Sequence, residues 1–154
     1  MLTPGTDTYA TLVEANAYAS ALPFPGDWAT ATDPAKENAL KTAAIWLDTL
    51  RFKGIRTTYA QVMEWPRVGM FDRDGFVVSA TTIPTLVKQA QSELALRLLS
   101  EDRAADAGAL VPDDLSVGSL KITGLHHSII PASVRVLLAP FLASGSGMMS
   151  GVRG

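Results

Sequence analysis

One stretch, Gln61 to Leu99, constrains the fold more than any other. An apolar segment closes on Trp65-Pro66-Arg67, an Asp74-Gly75 pair stands between apolar runs, and Ile83-Pro84 opens a long apolar-periodic segment. Proline keeps the residue before it out of the helical region, so the chain must turn outward at Trp65. Asp-Gly between apolar runs predicts a tight hairpin, with Val68–Phe71 and Phe76–Val78 as its arms. Proline at a helix start then fixes entry into a helix of about four turns at Pro84. Turn, hairpin and helix follow in a fixed order, and the remaining segments are expected to pack on this unit. These are parts of a docking module rather than of a catalytic centre.

The helix from Pro84 to about Asp102 presents Val87, Ala90, Leu94 and Leu98 on one face, widened by Leu86, Leu96 and Leu99. A stripe that wide predicts contact with more than one helix. Glu93 and Arg97 are spaced for an i,i+4 ion pair on its polar side. Upstream, Thr11 and Glu14 form a capping-box pattern for a helix over about Leu12–Leu22, which Pro23-Phe24-Pro25-Gly26 ends. Trp28 in the following loop is expected to plug the gap between helices. Asp33-Pro34 marks a second start, with Asp33 as cap. Leu40, Ala43, Ala44, Leu47 and Leu50 then recur at helical spacing to about Arg51, with Trp46 near the edge of the stripe.

Phe52-Lys53-Gly54-Ile55-Arg56 is a basic, aromatic connector. We expect a solvated turn there, with contact to a phosphate or an acidic partner as the functional alternative. Tyr59 to Glu64 is expected to form one or two helical turns. Beyond the long helix, 103–114 has the composition of a surface loop, and Val117–Leu125 alternates as a strand would. Ile129-Ile130-Pro131 opens a last helix over about Ala132–Leu142. The fold class expected is therefore mainly α: a small helical bundle with a short β-hairpin. Residues 1–142 make the helical domain, and 143–154, rich in Gly and Ser, make an extended C-terminal arm.

Composition narrows the chemistry. With no cysteine in 154 residues, disulfides, thiolate nucleophiles and Cys-based metal sites are excluded. The formal net charge of -2 argues against tight gripping of duplex phosphates. No phosphate-binding glycine loop, zinc-protease helix or serine-hydrolase elbow is present. Asp72-Arg73-Asp74-Gly75 shares only its first residues with a calcium loop and lacks the closing carboxylate. The adjacent His126 and His127 would point to opposite faces of a strand, which does not suit chelation. We expect no catalytic residue, no cofactor, no metal and no membrane span. The start of the chain lacks the pattern of a signal peptide, so a soluble, intracellular protein is expected.

The ordered set also resembles a known family. It comprises Tyr9, Ala15 and Tyr18, an Ala-rich helix with Trp46, Phe52–Arg56, Trp65-Pro66-Arg67, the Asp-Gly turn, Ile83-Pro84, Val117-Gly118-Ser119-Leu120 and a Pro-containing last helix. In this order it is similar to small tailed-phage proteins described as DnaT-like single-stranded DNA-binding proteins, which are similar in plan to head–tail connector (adaptor) proteins. The resemblance implies a homo-oligomeric ring of about twelve copies below the portal protein, facing a tail or stopper protein. DNA would pass through its channel without tight binding, in the virion and, during assembly, in the host cytoplasm. Trp65, Pro66, Arg67, Asp74, Gly75 and Pro84 would form the structural motif. Met148, Met149, Val152 and Arg153 would form a portal-binding arm. The alternative is a single-stranded DNA-binding replication accessory protein.

Overall fold

The computed structural model describes residues 1–101, 114–117, 120–123 and 130–144. Helix α1 spans Leu12–Ser20, α2 Asp33–Leu47, α3 Thr85–Ser100 and α4 Ala132–Leu138, and a single 3-10 turn covers Gly26–Ala29. Among the described residues, short strands accompany them: β1 Ile55–Arg56, β2 Arg67–Val68, β3 Asp114–Val117 and β4 Leu120–Thr123. The architecture is a mainly α bundle with short antiparallel hairpins, as expected.

Helix α3 is the hub, packed against α1, α2, α4 and the 3-10 turn. Val87, Ala90, Leu94 and Ala95 are buried, and Leu96 nearly so, so its wide stripe does serve several neighbours. Pro84 is its N-cap, in extended backbone. The capping box of α1 is present in both directions, Thr11 Oγ1 accepting from Glu14 N–H and Glu14 Oε2 from Thr11 N–H. Trp28 is buried as expected, in the 3-10 turn rather than an open loop, and its indole N–H donates to Asn16 Oδ1 at 3.0 Å.

Several boundaries differ from expectation. The cap of α2 is Thr32, whose hydroxyl accepts from Ala35 N–H, so Asp33 becomes the first helical residue and Pro34 the second. The same helix stops at Leu47 instead of Arg51, because the chain tightens into turns through Thr49 and Leu50. Residues 59–64 form turns and bends rather than a helix. The Gln61 side chain takes over backbone partners there: it accepts from Thr58 N–H and donates to the carbonyls of Met63 and Pro66. Such side-chain bonds compete with the helical ladder.

Glu93 is not on a polar face. It does pair with Arg97 at 3.1 Å, but it is buried and also accepts from Tyr18 Oη and Ser133 Oγ, joining α1, α3 and α4. Burial, followed by the Glu93 charge, pushes the Tyr18 hydroxyl up to about 12. The single strand expected over Val117–Leu125 is divided between two instead: Val117 ends β3 and Leu120–Thr123 form β4, paired antiparallel with Val117 opposite Leu120 and Asp114 opposite Thr123. Helix α4 ends at Leu138, after which Leu142 bridges antiparallel to Phe52 and Ala143 N–H donates to Arg51 O at 2.9 Å. The loop over 103–113, the two histidines, and the arm residues Met148, Met149, Val152 and Arg153 lie outside the described residues.

Candidate interaction surface

Trp65-Pro66-Arg67 is built into the body of the protein. Trp65 is fully buried, its ring edge-on to Phe52 at 5.5 Å and to Phe141 at 5.1 Å. It is therefore held between the connector and the segment after α4. The Trp65–Pro66 peptide is cis. Arg67 is buried as well, and its guanidinium is used up internally. Nε donates to Lys53 O, Nη2 to Gly54 O, and Nη1 to both Glu64 O and Glu64 Oε2. The guanidinium also lies 5.8 Å from the Phe52 ring. A planar five-donor group suits this task as a lysine would not.

The connector is not the solvated turn expected. Phe52 belongs to the core, and Ile55–Arg56 pairs antiparallel with Arg67–Val68. Gly54 permits that approach: its φ is +66°, and a Cβ there would lie 2.2 Å from Val68 O.

Behind the motif, the Tyr9 hydroxyl donates to Asp48 Oδ1. Burial holds the Tyr9 phenol far above its usual range, and the Asp48 charge adds to that. Burial also pushes the Asp48 carboxyl up to about 6; the Glu64 carboxylate adds to the shift, while the Tyr9 hydroxyl, the Glu64 N–H and Arg67 oppose it. The folded state thus binds this proton more tightly than the unfolded chain. Its stabilising contribution is full below the ordinary value of 3.8 and is lost as pH rises through about 6. Wild-type thermal stability should therefore fall as pH rises from about 4 to about 6.5, and Asp48→Asn should flatten that part of the profile. Parallel melting profiles for the two proteins would remove Asp48 as the cause.

The hairpin beyond Arg67 points the other way, into solvent. Asp72 organises it: its N–H donates to Phe76 O, and its Oδ1 accepts from the N–H groups of Asp74 and Phe76. Gly75, at φ +88°, completes the turn expected at Asp74-Gly75. Phe71 bridges Val77 across the arms, yet Phe71 is 53% exposed and Phe76 71%. Ile55, Tyr59, Val62, Val68 and Val77 are exposed on the same unit. Beside Phe71, a cleft of about 370 Å³ is lined by Lys53, Asp72, Arg73 and Pro140 among others. One segment thus has a buried root, in which the Arg67 guanidinium is bonded while the Trp65 indole N–H has no hydrogen-bond partner among the described residues, and a projecting apolar tip with charged neighbours.

The whole chain, residues 1–154, matches the model of the family described as "Putative DnaT-like ssDNA binding protein". The chain belongs to this family. No curated protein matches it, and no solved structure does. The family's description names single-stranded DNA binding, the second of the two functions expected from the sequence; nothing matched names a portal, a tail or a ring.

Within this family member, Trp65, Pro66 and Arg67 come together with Phe52 and Phe141. Asp74 and Gly75 stand at the exposed tip, and Pro84 is set apart at the head of α3. The sequence reading missed the Tyr9–Asp48 pair and the buried Gln91. For Gln91 a signal existed, since it falls at i+4 from Val87 within the apolar stripe of α3. No group of three or more potential metal ligands occurs among the described residues. No helix among them is long and apolar enough to cross a membrane.

Proposed function

We propose that this protein is a structural head–tail connector subunit of a tailed phage, assembling as a ring below the portal. The observation that carries this reading is the density of exposed apolar side chains within residues 55–77: Ile55, Tyr59, Val62, Val68, Phe71, Phe76 and Val77. Contiguous apolar surface of this kind marks a protein interface. A net charge of -2 agrees with a channel that lets DNA slide rather than holding its phosphates. In this reading the protein is not an enzyme. Its partners are further copies of itself, the portal and a tail or stopper protein, and it ends up at the head–tail interface of the virion. Residues 143–154 act as the arm that meets the portal.

The second reading is single-stranded DNA binding, favoured by the family's description and by Phe71 beside Lys53 and Arg73. Stacking platforms in a basic groove are what such binding needs. Here Asp72 and Asp74 share the tip with those cations. Two measurements on the purified full chain separate the readings: its solution mass with negative-stain images, and its binding to an oligothymidine at low and moderate salt. The connector reading expects rings, and DNA binding no tighter than non-specific contacts, about 10⁻⁴–10⁻⁶ M. A monomer that binds the oligonucleotide at nanomolar, salt-sensitive affinity would transfer the function to the second reading.

A further inference from the structure

Charge is distributed unevenly along this chain. Residues 1–50 hold six carboxylates against Lys36 and Lys41, whereas residues 51–100 hold seven cations against four carboxylates. The fold turns this imbalance into two ends. At one end, the hairpin leads through Ser79–Pro84 into the start of α3, and it exposes Arg73 at its tip between Asp72 and Asp74, with Arg51 and Lys53 at its base. At the other, Gly26 lies against Ser100 at the end of α3, Phe24 and Asp27 are exposed beside it, and Asp33 is exposed at the start of α2. The sixteen residues of α3 separate the two ends by about 24 Å.

Both ends are also apolar. Phe24 is 89% exposed and rims a cleft of about 300 Å³ with Leu22 and Leu96, whose lining is completed by Glu93, Arg97, Ser100 and Glu101 among others. The hairpin projects Phe71 and Phe76. One end is thus a protruding apolar tip of mixed charge on a basic base, Arg51 and Lys53, and the other a cleft of mixed lining with Asp27 exposed at its edge.

We propose that the hairpin of one copy docks on the Phe24 end of the next copy, with Phe76 entering the cleft and Lys53 and Arg73 facing Asp27 and Asp33. This inference rests on the assembly reading above and names the two surfaces it would use. A contact between different surfaces at opposite ends of one molecule is heterologous, and it propagates head to tail until the rotation closes a ring. Opposite charges on the two surfaces set partner and register.

Charge reversal in the full-length protein tests this. Lys53→Glu with Arg73→Glu makes both ends acidic, and Asp27→Lys with Asp33→Lys makes both basic. All four side chains are exposed, and circular dichroism checks that each variant folds. Each variant alone is expected to self-associate at least about tenfold more weakly than wild type by sedimentation. An equimolar mixture is expected to recover wild-type assembly, because each hairpin then meets a Phe24 end of opposite charge. Wild-type assembly by the separate variants would overturn this pairing of surfaces while leaving the ring reading in place, and so would a mixture that stays dissociated. A wild-type protein that is monomeric at every concentration would overturn both. Oligonucleotide binding by the wild-type monomer that is lost on reversing Lys53 and Arg73 would place a nucleic acid on the hairpin instead.

Discussion

Trp65→Ala is expected to lower the stability of the fold by about 3–5 kcal/mol, the range for deleting a large aromatic side chain from a core. The indole is fully buried and in edge contact with Phe52 and Phe141, so truncation opens a cavity between two segments far apart in the chain. Phe52 and Leu142 are also joined by a backbone bridge there, which limits how far the walls can collapse into the space. Denaturant unfolding would measure the loss, and a midpoint unchanged by the substitution would contradict this packing. Trp65→Phe should cost clearly less, because a ring remains between the two phenylalanines.

Gln91→Leu is expected to cost about 2–6 kcal/mol although the new side chain is apolar and similar in size. Gln91 is fully buried in the middle of α3. Its Oε1 accepts from the N–H groups of Tyr9 and Ala10, at 2.9 and 2.7 Å, while its Nε2 donates to Thr8 Oγ1 and Leu40 O. One amide therefore fastens the N-terminal segment to α2 and α3. Leucine would strand the N–H groups of Tyr9 and Ala10 away from water, each costing about 1–3 kcal/mol, whereas the Leu40 carbonyl keeps its partner within α2. Hydrogen exchange at Tyr9 and Ala10 would report the effect locally. If those amides keep their protection in the variant, the bonds to Gln91 do not hold the segment.

The sequence made the helices and the hairpin turn legible because their signals are local. Thr11 with Glu14, Pro84 before an apolar stripe, and Asp-Gly between apolar runs each act within a few residues. What it hid depends on distant partners. Ile55–Arg56 becomes a strand only because Arg67–Val68 arrives beside it, and Gly54 is needed there because of a carbonyl fourteen residues away. Glu93 looked like a surface partner for Arg97, yet Tyr18 and Ser133 close over it from two other helices. Conversely, the arms of the hairpin are apolar in sequence, yet Phe71, Phe76 and Val77 face solvent. Periodicity identifies an apolar face without saying whether this chain or another covers it. That is why the candidate surface emerged only from the structure.

Arg67 has a consequence for how this fold tolerates change. Three of its four acceptor groups are main-chain carbonyls, those of Lys53, Gly54 and Glu64, and only one is a carboxylate. A main-chain acceptor survives substitution of its own residue, so the identity at position 53 is largely decoupled from the clamp, whereas a change at Glu64 removes its carboxylate and leaves only its carbonyl. Arg67 itself has no such freedom, since Arg67→Lys replaces a fork of donors by one ammonium and leaves buried carbonyls unanswered. Mutational tolerance across the unit is thus lopsided. The donor is locked, while Lys53 at the rim can be recharged without cutting the root from which the hairpin projects.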